Sequence, residues 1–114
     1  LRHINLSNNS ITGTLPDIFR EMTSLEDFLL NSNYLEGPLP PSLTSQWHAH
    51  TLKNLDLGNN WFDGTIPEDI GNLVNLQRLS LYENEFEGTI PASLGQITEL
   101  KDLYLDVNQL TGTV

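Results

Sequence analysis

Apolar residues recur along this chain in a phrase of 24 residues. The copies begin at Leu1, Leu25, Leu52, Leu76 and Leu100, and the second copy has 27 residues. The fourth and sixth positions of each copy are apolar, as at Leu79 and Leu81. A spacing of two predicts a short strand with one buried face. A fixed period of this length predicts a solenoid, in which each coil packs only on its neighbours.

The strands of successive coils are expected to run side by side in one parallel sheet. They are predicted at residues 3–6, 27–30, 54–57, 78–81 and 102–105. Later apolar positions in each copy, such as Ile70 and Leu73, are expected to fill the core from the opposite side. These stretches are short, which favours 3₁₀ or single helical turns. The fold class is therefore predicted to be an α/β solenoid.

Three columns of the repeat are expected to be architectural. The asparagine column consists of Asn9, Asn33, Asn60, Asn84 and Asn108. A buried amide both donates and accepts hydrogen bonds, so it can satisfy a turn and the neighbouring coil together. The glycine column (Gly13, Gly37, Gly64, Gly88 and Gly112) predicts a conformation that excludes a side chain, and a proline column follows it.

The fourth copy, Leu76–Glu99, reads LQRLSLYENEFEGTIPASLGQITE. It closely resembles the plant-type leucine-rich repeat, LxxLxLxxNxLxGxIPxxLGxLxx, and the resemblance covers the whole chain. It implies a curved superhelix with the parallel sheet on the concave face and short helical turns on the convex face. It also implies an extracellular or cell-surface segment, as in receptor-like kinases, receptor-like proteins and polygalacturonase inhibitors. Similar repeats occur in algae and other protists, so the organism stays open.

Composition excludes several classes of function. The net charge is −10 and there are no cysteines. Such an acidic surface argues against nucleic-acid binding, and its ordinary interpretation is solubility. No apolar stretch is long enough to cross a bilayer, so we expect no membrane contact by this segment. The first and last residues fall inside repeats, so we expect residues 1–114 to be one excerpt of a longer array without its caps.

The candidate ligand-binding residues lie where strand residues point away from the core. Tyr82 and Tyr104 are expected on neighbouring concave strands, offset by two positions. Their rings are expected to point away from the core and to take no part in the packing between coils. Glu83, Asp102 and Asp106 surround them. Two exposed tyrosines among acids indicate a surface for a protein, peptide or carbohydrate ligand, with a preference for basic partners. The alternative is that these five side chains are ordinary surface residues of the solenoid without a binding role.

A second aromatic pair, Tyr34 and Trp61, follows the asparagine column in adjacent coils. It is expected either to bind a ligand or to shield the turn, whereas Phe62 and Phe86 belong to a core column. Glu36, Asp63 and Glu87 form an acidic ladder before the glycines, for which solvation is the default. His48 and His50 lie in the three-residue insertion within 44–51, without an evident third metal ligand. Trp47 or Ala49 is expected to fill the packing position there.

No pattern indicates catalysis, a metal site or a cofactor, although an attached kinase domain stays open. The leading interpretation is a non-catalytic recognition module that binds through its concave face. The alternative is a structural spacer or adhesion element whose binding site lies elsewhere. A remoter possibility is an ice-facing array, because Thr14, Thr65, Thr89 and Thr113 share one column, which Pro38 interrupts. Asn5 and Asn8 also begin matches to the N-glycosylation pattern.

Overall fold

The computed structural model describes residues 2–44 and 50–112. The residues proposed for the packing position in the insertion, Trp47 and Ala49, lie outside this part, as does His48. His50 is exposed. None of the described helices is long and apolar enough to cross a membrane.

One parallel sheet runs through all five coils. Its strands follow in spatial order β1 (His3–Asn5), β3 (Asp27–Leu29), β5 (Asn54–Asp56), β7 (Arg78–Ser80) and β9 (Asp102–Tyr104). The registers place equivalent repeat positions opposite each other, as in Leu55 with Leu79. The predicted strands are confirmed, each ending one residue earlier than expected. Equivalent side chains therefore stack in columns across the concave face.

A second set of short strands follows the asparagine column, on a face that we call lateral. β2 (Thr12–Thr14), β4 (Tyr34–Gly37) and β6 (Trp61–Phe62) form one sheet, and β8 (Glu87–Thr89) pairs with β10 (Gln109–Thr111). All these pairs are parallel. An isolated bridge between Thr65 and Glu87 links the two groups. The repeat pattern did not predict these strands, because each of them contains at most one buried residue.

Short 3₁₀ helices form the convex side, as predicted. They span Phe19–Glu21, Pro41–Leu43, Glu68–Asn72 and Ala92–Gln96. The proline column precedes three of them: Pro40, Pro67 and Pro91 hold φ between −60° and −69° in extended conformations. A proline fixes φ without needing a backbone donor, which suits a turn from the lateral strands into a helix.

The core lies between the concave sheet and the 3₁₀ helices. Leucines from both sides are completely buried, including Leu55, Leu79 and Leu73. Phe62 and Phe86 stack with their ring centroids 6.3 Å apart, which confirms their assignment to packing. Burial falls in the last described coil, where Leu103 is 42% exposed although it shares the column of Leu55 and Leu79.

The asparagine column forms a ladder that ties the coils together. Asn60 Nδ2 donates to the carbonyl oxygens of Leu57 in its own coil (3.2 Å) and Leu30 in the previous coil (3.0 Å), while its Oδ1 accepts from the Leu35 amide (3.1 Å). The same pattern recurs at Asn33, Asn84 and Asn108. These contacts join each turn to the neighbouring coil, which is the structural role that we expected for the column. Asn9 is exposed and donates only within its own turn.

Two columns adopt left-handed backbone conformations. The glycine column does so as expected, with Gly37 at φ +83°. A methyl group on Gly37 would also lie 2.9 Å from Thr14 Cγ2, so both strain and space require glycine there. The second column precedes each asparagine and consists of Asn8, Ser32, Asn59, Glu83 and Val107, at φ between +54° and +62°. This turn sets the direction in which the chain leaves the concave sheet.

Candidate functional site

A cleft of about 420 Å³ opens on the concave face, around the C-terminal ends of β3, β5, β7 and β9. Residues from four successive coils line it: Asn31, Ser32, Asp56, Gly58, Asn59, Arg78, Ser80, Tyr82, Tyr104 and Asp106. Because the strands are parallel, side chains that follow each strand meet at one edge of the sheet. The repeat geometry therefore assembles this cleft from residues far apart in sequence.

Arg78 contacts residues of both neighbouring coils in the cleft. Its Nη1 donates to Asp56 Oδ2 at 3.1 Å, and its guanidinium carbon lies 5.6 Å from the centroid of the Tyr104 ring. Asp56 is buried, and its Oδ1 accepts from the Gly58 amide at 3.0 Å. A buried carboxylate needs such partners, since an unpaired one would be costly. Arg78 consequently neutralises Asp56 and covers one side of the Tyr104 ring.

Tyr82 forms the opposite wall. A side chain at Gly58 would lie 3.1 Å from Tyr82 Cδ1, so the absence of a side chain there makes room for the ring. The carboxylate of Glu83 is the main cause that raises the pKa of the Tyr82 phenol above its ordinary value. Burial, a hydrogen bond with Glu83, and the charges of Asp106 and Asp56 act in the same direction. Tyr82 thus stays a neutral phenol, able to donate and accept hydrogen bonds.

The structure separates the residues that the sequence grouped around the tyrosines. Tyr82, Tyr104 and Asp106 line the cleft. Asp102 lies directly opposite Arg78 in the register of β7 and β9, outside the lining. Glu83 lines a different groove, on the lateral face, together with Trp61. Of the three acids, only Asp106 lines the cleft, while Glu83 reaches Tyr82 from the neighbouring groove.

The expectation that the tyrosine rings take no part in the packing between coils is wrong, because both rings contact the preceding coil. Tyr104 packs beneath Arg78, and Tyr82 lies over Gly58 of the preceding coil. Both rings nevertheless stay substantially exposed, Tyr82 at 36% and Tyr104 at 45%. Each ring is therefore held on one side by the neighbouring coil and is open to solvent on the other.

Sequence reasoning did not single out Arg78, Asp56, Gly58 and Ser80 as site residues. Each occupies a concave position of its repeat, which was the available signal. Their grouping depends on which side chains meet across coils, and a single repeat copy does not contain that information.

The opposite end of the concave sheet is a network of paired charges. Glu26 lies between Arg2 and Lys53, at 3.6 and 3.4 Å, and Asp27 contacts His3 and Asn54. These exposed or half-buried groups largely satisfy each other, which leaves little net charge for a ligand.

Neither metal binding nor an ice-facing array gains support from the geometry. The described ranges contain no group of three or more His, Cys, Asp or Glu side chains that could hold a metal ion. The threonine column has a packing role: methyl groups built on Gly88 and Gly112 would lie 3.1 and 3.0 Å from the methyl carbons of Thr65 and Thr89. Thr14, Thr65 and Thr89 therefore each cover the glycine of the next coil.

Comparison with known protein families decides the classification. Family profiles for leucine-rich repeats match residues 50–110 and residues 1–22. The chain belongs to the leucine-rich-repeat family. Its LxxLxLxxN segments are the strands and asparagine turns described above.

Curated relatives of this leucine-rich-repeat chain include receptors from plants. It is 42% identical, over 78 residues, to the LRR receptor-like serine/threonine-protein kinase EFR of Arabidopsis thaliana. The match covers 68% of this chain and 7% of that protein. This chain therefore matches only a small part of that relative's length.

Solved structures with the same fold have different functions. The Arabidopsis receptor kinase HAESA, in complex with the peptide hormone IDA and the co-receptor SERK1, superposes with a TM-score of 0.89 at 39% identity, over 96% of this chain and 18% of that one. A plant ice-binding protein superposes with a TM-score of 0.88 at 32% identity, over 96% of this chain and 35% of that one. Function must therefore be argued from the surface of this chain.

Proposed function

We propose that this segment is a non-catalytic recognition module whose concave cleft binds a protein or peptide ligand. The observation that carries the proposal is the pair of half-exposed tyrosines held open by Arg78 and Gly58. Tyrosines supply contact area at a low cost in side-chain entropy, because few torsions must be fixed on binding. The surrounding contacts fix these rings further, so a ligand would meet a surface already in its binding conformation.

The dimensions of the cleft suit an extended ligand. It spans four coils, from Asn31 to Asp106, with strands about 4.8 Å apart. Backbone and side-chain polar groups of an extended peptide would meet Asn31, Asn59 and Ser80, while its apolar side chains would lie against the tyrosine rings. Small glycans share part of this chemistry, but the two aromatic walls and the length of the cleft favour a peptide.

The charge distribution favours a basic partner. Asp56 is neutralised by Arg78, but the ion pairs within the described ranges do not include Asp106, Asp102 or Glu83. Asp106 lines the cleft, Asp102 is opposite Arg78 in the register of β7 and β9, and Glu83 is beside Tyr82. A positively charged ligand would therefore associate faster at low ionic strength, because exposed charges are screened by salt.

We place the segment in the extracellular part of a larger receptor-like protein. The support is its likeness to receptor kinases such as HAESA, whose structure was solved in complex with a peptide hormone. In this proposal residues 1–114 are one section of a longer leucine-rich-repeat array. The other coils, rather than residues of this segment alone, would supply the remainder of the ligand contacts.

A selection from random peptides tests the proposal without assuming a ligand. A displayed library of peptides would be selected on the intact protein, and the affinity of a selected peptide measured by calorimetry. We expect the double variant Tyr82→Ala/Tyr104→Ala to weaken binding by about tenfold or more. Neutralising Asp102 and Asp106 with asparagine should reduce the salt dependence. The matched control is Tyr34→Ala, which removes an exposed tyrosine from the lateral face.

Two results would overturn the proposal. Affinity that is unchanged in the folded double variant, with the salt dependence also unchanged, would place the ligand elsewhere. Failure to select any peptide on the folded protein would favour the alternative, in which these coils are a structural spacer.

A further inference from the structure

Trp61 is exposed on the lateral face, away from the concave cleft. It is 58% exposed, whereas its neighbour Phe62 is completely buried in the core. Successive strand residues point to opposite sides, so the burial of Phe62 directs Trp61 outward. A large aromatic side chain in this position contributes little to coil packing.

Carboxylates surround the indole ring. Glu36 is the register partner of Trp61 on β4, and Asp63 follows Trp61 on the same outward side. Glu83 and Glu85 line a groove of about 350 Å³ together with Trp61 and Val107. We call Glu36, Trp61, Asp63, Glu83 and Glu85 the Trp61 face.

The Trp61 face carries negative charge without a cationic partner among the described residues. Within the described ranges, the carboxylates that form ion pairs are Glu26, Asp27 and Asp56, which are all on the concave side. The four carboxylates of the Trp61 face therefore leave uncompensated potential around an aromatic ring. The described carboxylates do not converge in a group that could hold a metal ion, so an organic cation is the chemistry that fits.

From this arrangement we propose that the Trp61 face is a second docking surface, and that it receives an arginine side chain of a partner protein. The indole offers the most favourable aromatic face for a cation. A guanidinium is planar, so it can stack on the ring while its edge donates two parallel hydrogen bonds to a carboxylate. Val107, 63% exposed in the same groove, would contact the aliphatic part of that side chain.

This surface borders the concave cleft, since Asn59 lines both, but its aromatic residue is a different one. Trp61, Glu36 and Glu85 do not line the cleft, and Tyr82 and Tyr104 do not line the groove. Glu83 touches both, since it also raises the pKa of Tyr82. Variants that test the Trp61 face should therefore leave Glu83 unchanged.

The experiment titrates the intact protein with an acetylated, amidated hexa-arginine peptide at physiological salt. Hexa-citrulline, which has a similar shape without the charge, is the control peptide. Trp61→Leu is the main variant, because leucine keeps an apolar side chain on the strand and removes the aromatic face. Glu36→Gln/Glu85→Gln removes charge alone, and Tyr82→Ala/Tyr104→Ala controls for binding in the concave cleft.

We expect Trp61→Leu to weaken binding of hexa-arginine by about 5- to 10-fold. The double glutamine variant should weaken it similarly, and hexa-citrulline should not bind. The loss caused by Trp61→Leu should be the same when Tyr82→Ala/Tyr104→Ala is also present, because that background removes any binding in the concave cleft. Equal affinity of wild type and Trp61→Leu, or equal affinity for the two peptides, would overturn the proposal. Sedimentation that shows a dimer lost in Trp61→Leu would replace it with self-association through this face.

Discussion

Replacing Asn60 by aspartate tests whether the asparagine ladder holds the coils together. The substitution keeps the shape of the side chain and exchanges Nδ2, a donor, for an oxygen. In the structure this nitrogen faces the carbonyl oxygens of Leu30, Leu57 and Gly58 at 3.0–3.2 Å. Aspartate would leave these acceptors without their donor and place a carboxylate beside them. Since Asn60 is buried, we expect a loss of about 1–3 kcal/mol in the free energy of unfolding.

The loss should depend on pH. Nearby carbonyl oxygens and burial disfavour the charged carboxylate, so the pKa of Asp in the Asn60→Asp variant should lie above the unfolded value of about 3.9. A group with a raised folded pKa contributes its full stability below the unfolded pKa and loses it as the pH rises through the folded pKa. The difference between wild type and variant should therefore be larger at pH 7 than below about pH 4.

The assay is urea unfolding of the intact protein at both pH values. The matched control is Asn9→Asp, in the same column but exposed, where the side chain bonds only to Leu6 and Ser7 of its own turn. We expect this control to cost less than about 0.5 kcal/mol. Equal losses for the two variants, or an unchanged midpoint for Asn60→Asp, would refute the role of the ladder.

Three other properties can be checked on the same protein. Val107→Asn should raise the free energy of unfolding by about 1 kcal/mol, because a β-branched residue is strained at φ +56° and asparagine tolerates this region. Thermal unfolding of wild type and variant measures the difference. Ultraviolet titration should show that the pKa of the Tyr82 phenol is above its ordinary value and that it is lower in Glu83→Gln, because the Glu83 carboxylate is the largest cause of the shift. The same pKa in wild type and variant would exclude Glu83 as the cause. The 114-residue chain alone should self-associate in light scattering, because Leu103 is 42% exposed on an edge strand of the sheet, and a stable monomer would disprove this.

The architecture could be predicted from the sequence because the repeat samples each structural position several times. Strand positions, the convex 3₁₀ turns and the asparagine contacts all depend on columns such as Leu55 with Leu79, where each copy has the same environment. The left-handed column was missed because its members, such as Glu83 and Val107, share neither polarity nor size. Their backbone angle is imposed by the turn into the asparagine, whatever the side chain.

The candidate sites were less predictable because they depend on how individual side chains meet across coils. Tyr82 and Tyr104 were recognisable from their outward positions. The contact of Arg78 with both Asp56 and Tyr104 requires three coils in their final register, so no single copy indicates it. Likewise, Trp61 and Glu36 become neighbours only through pairing of lateral strands that the repeat pattern did not reveal.

The central claim is that the concave cleft binds the ligand. The most direct test is a crystal structure of the intact protein bound to a peptide selected from a random library. We predict an extended peptide in the cleft, in contact with Tyr82 and Tyr104, with Arg78 still paired to Asp56. A peptide bound on the convex helices, with the cleft open to solvent, would contradict this account.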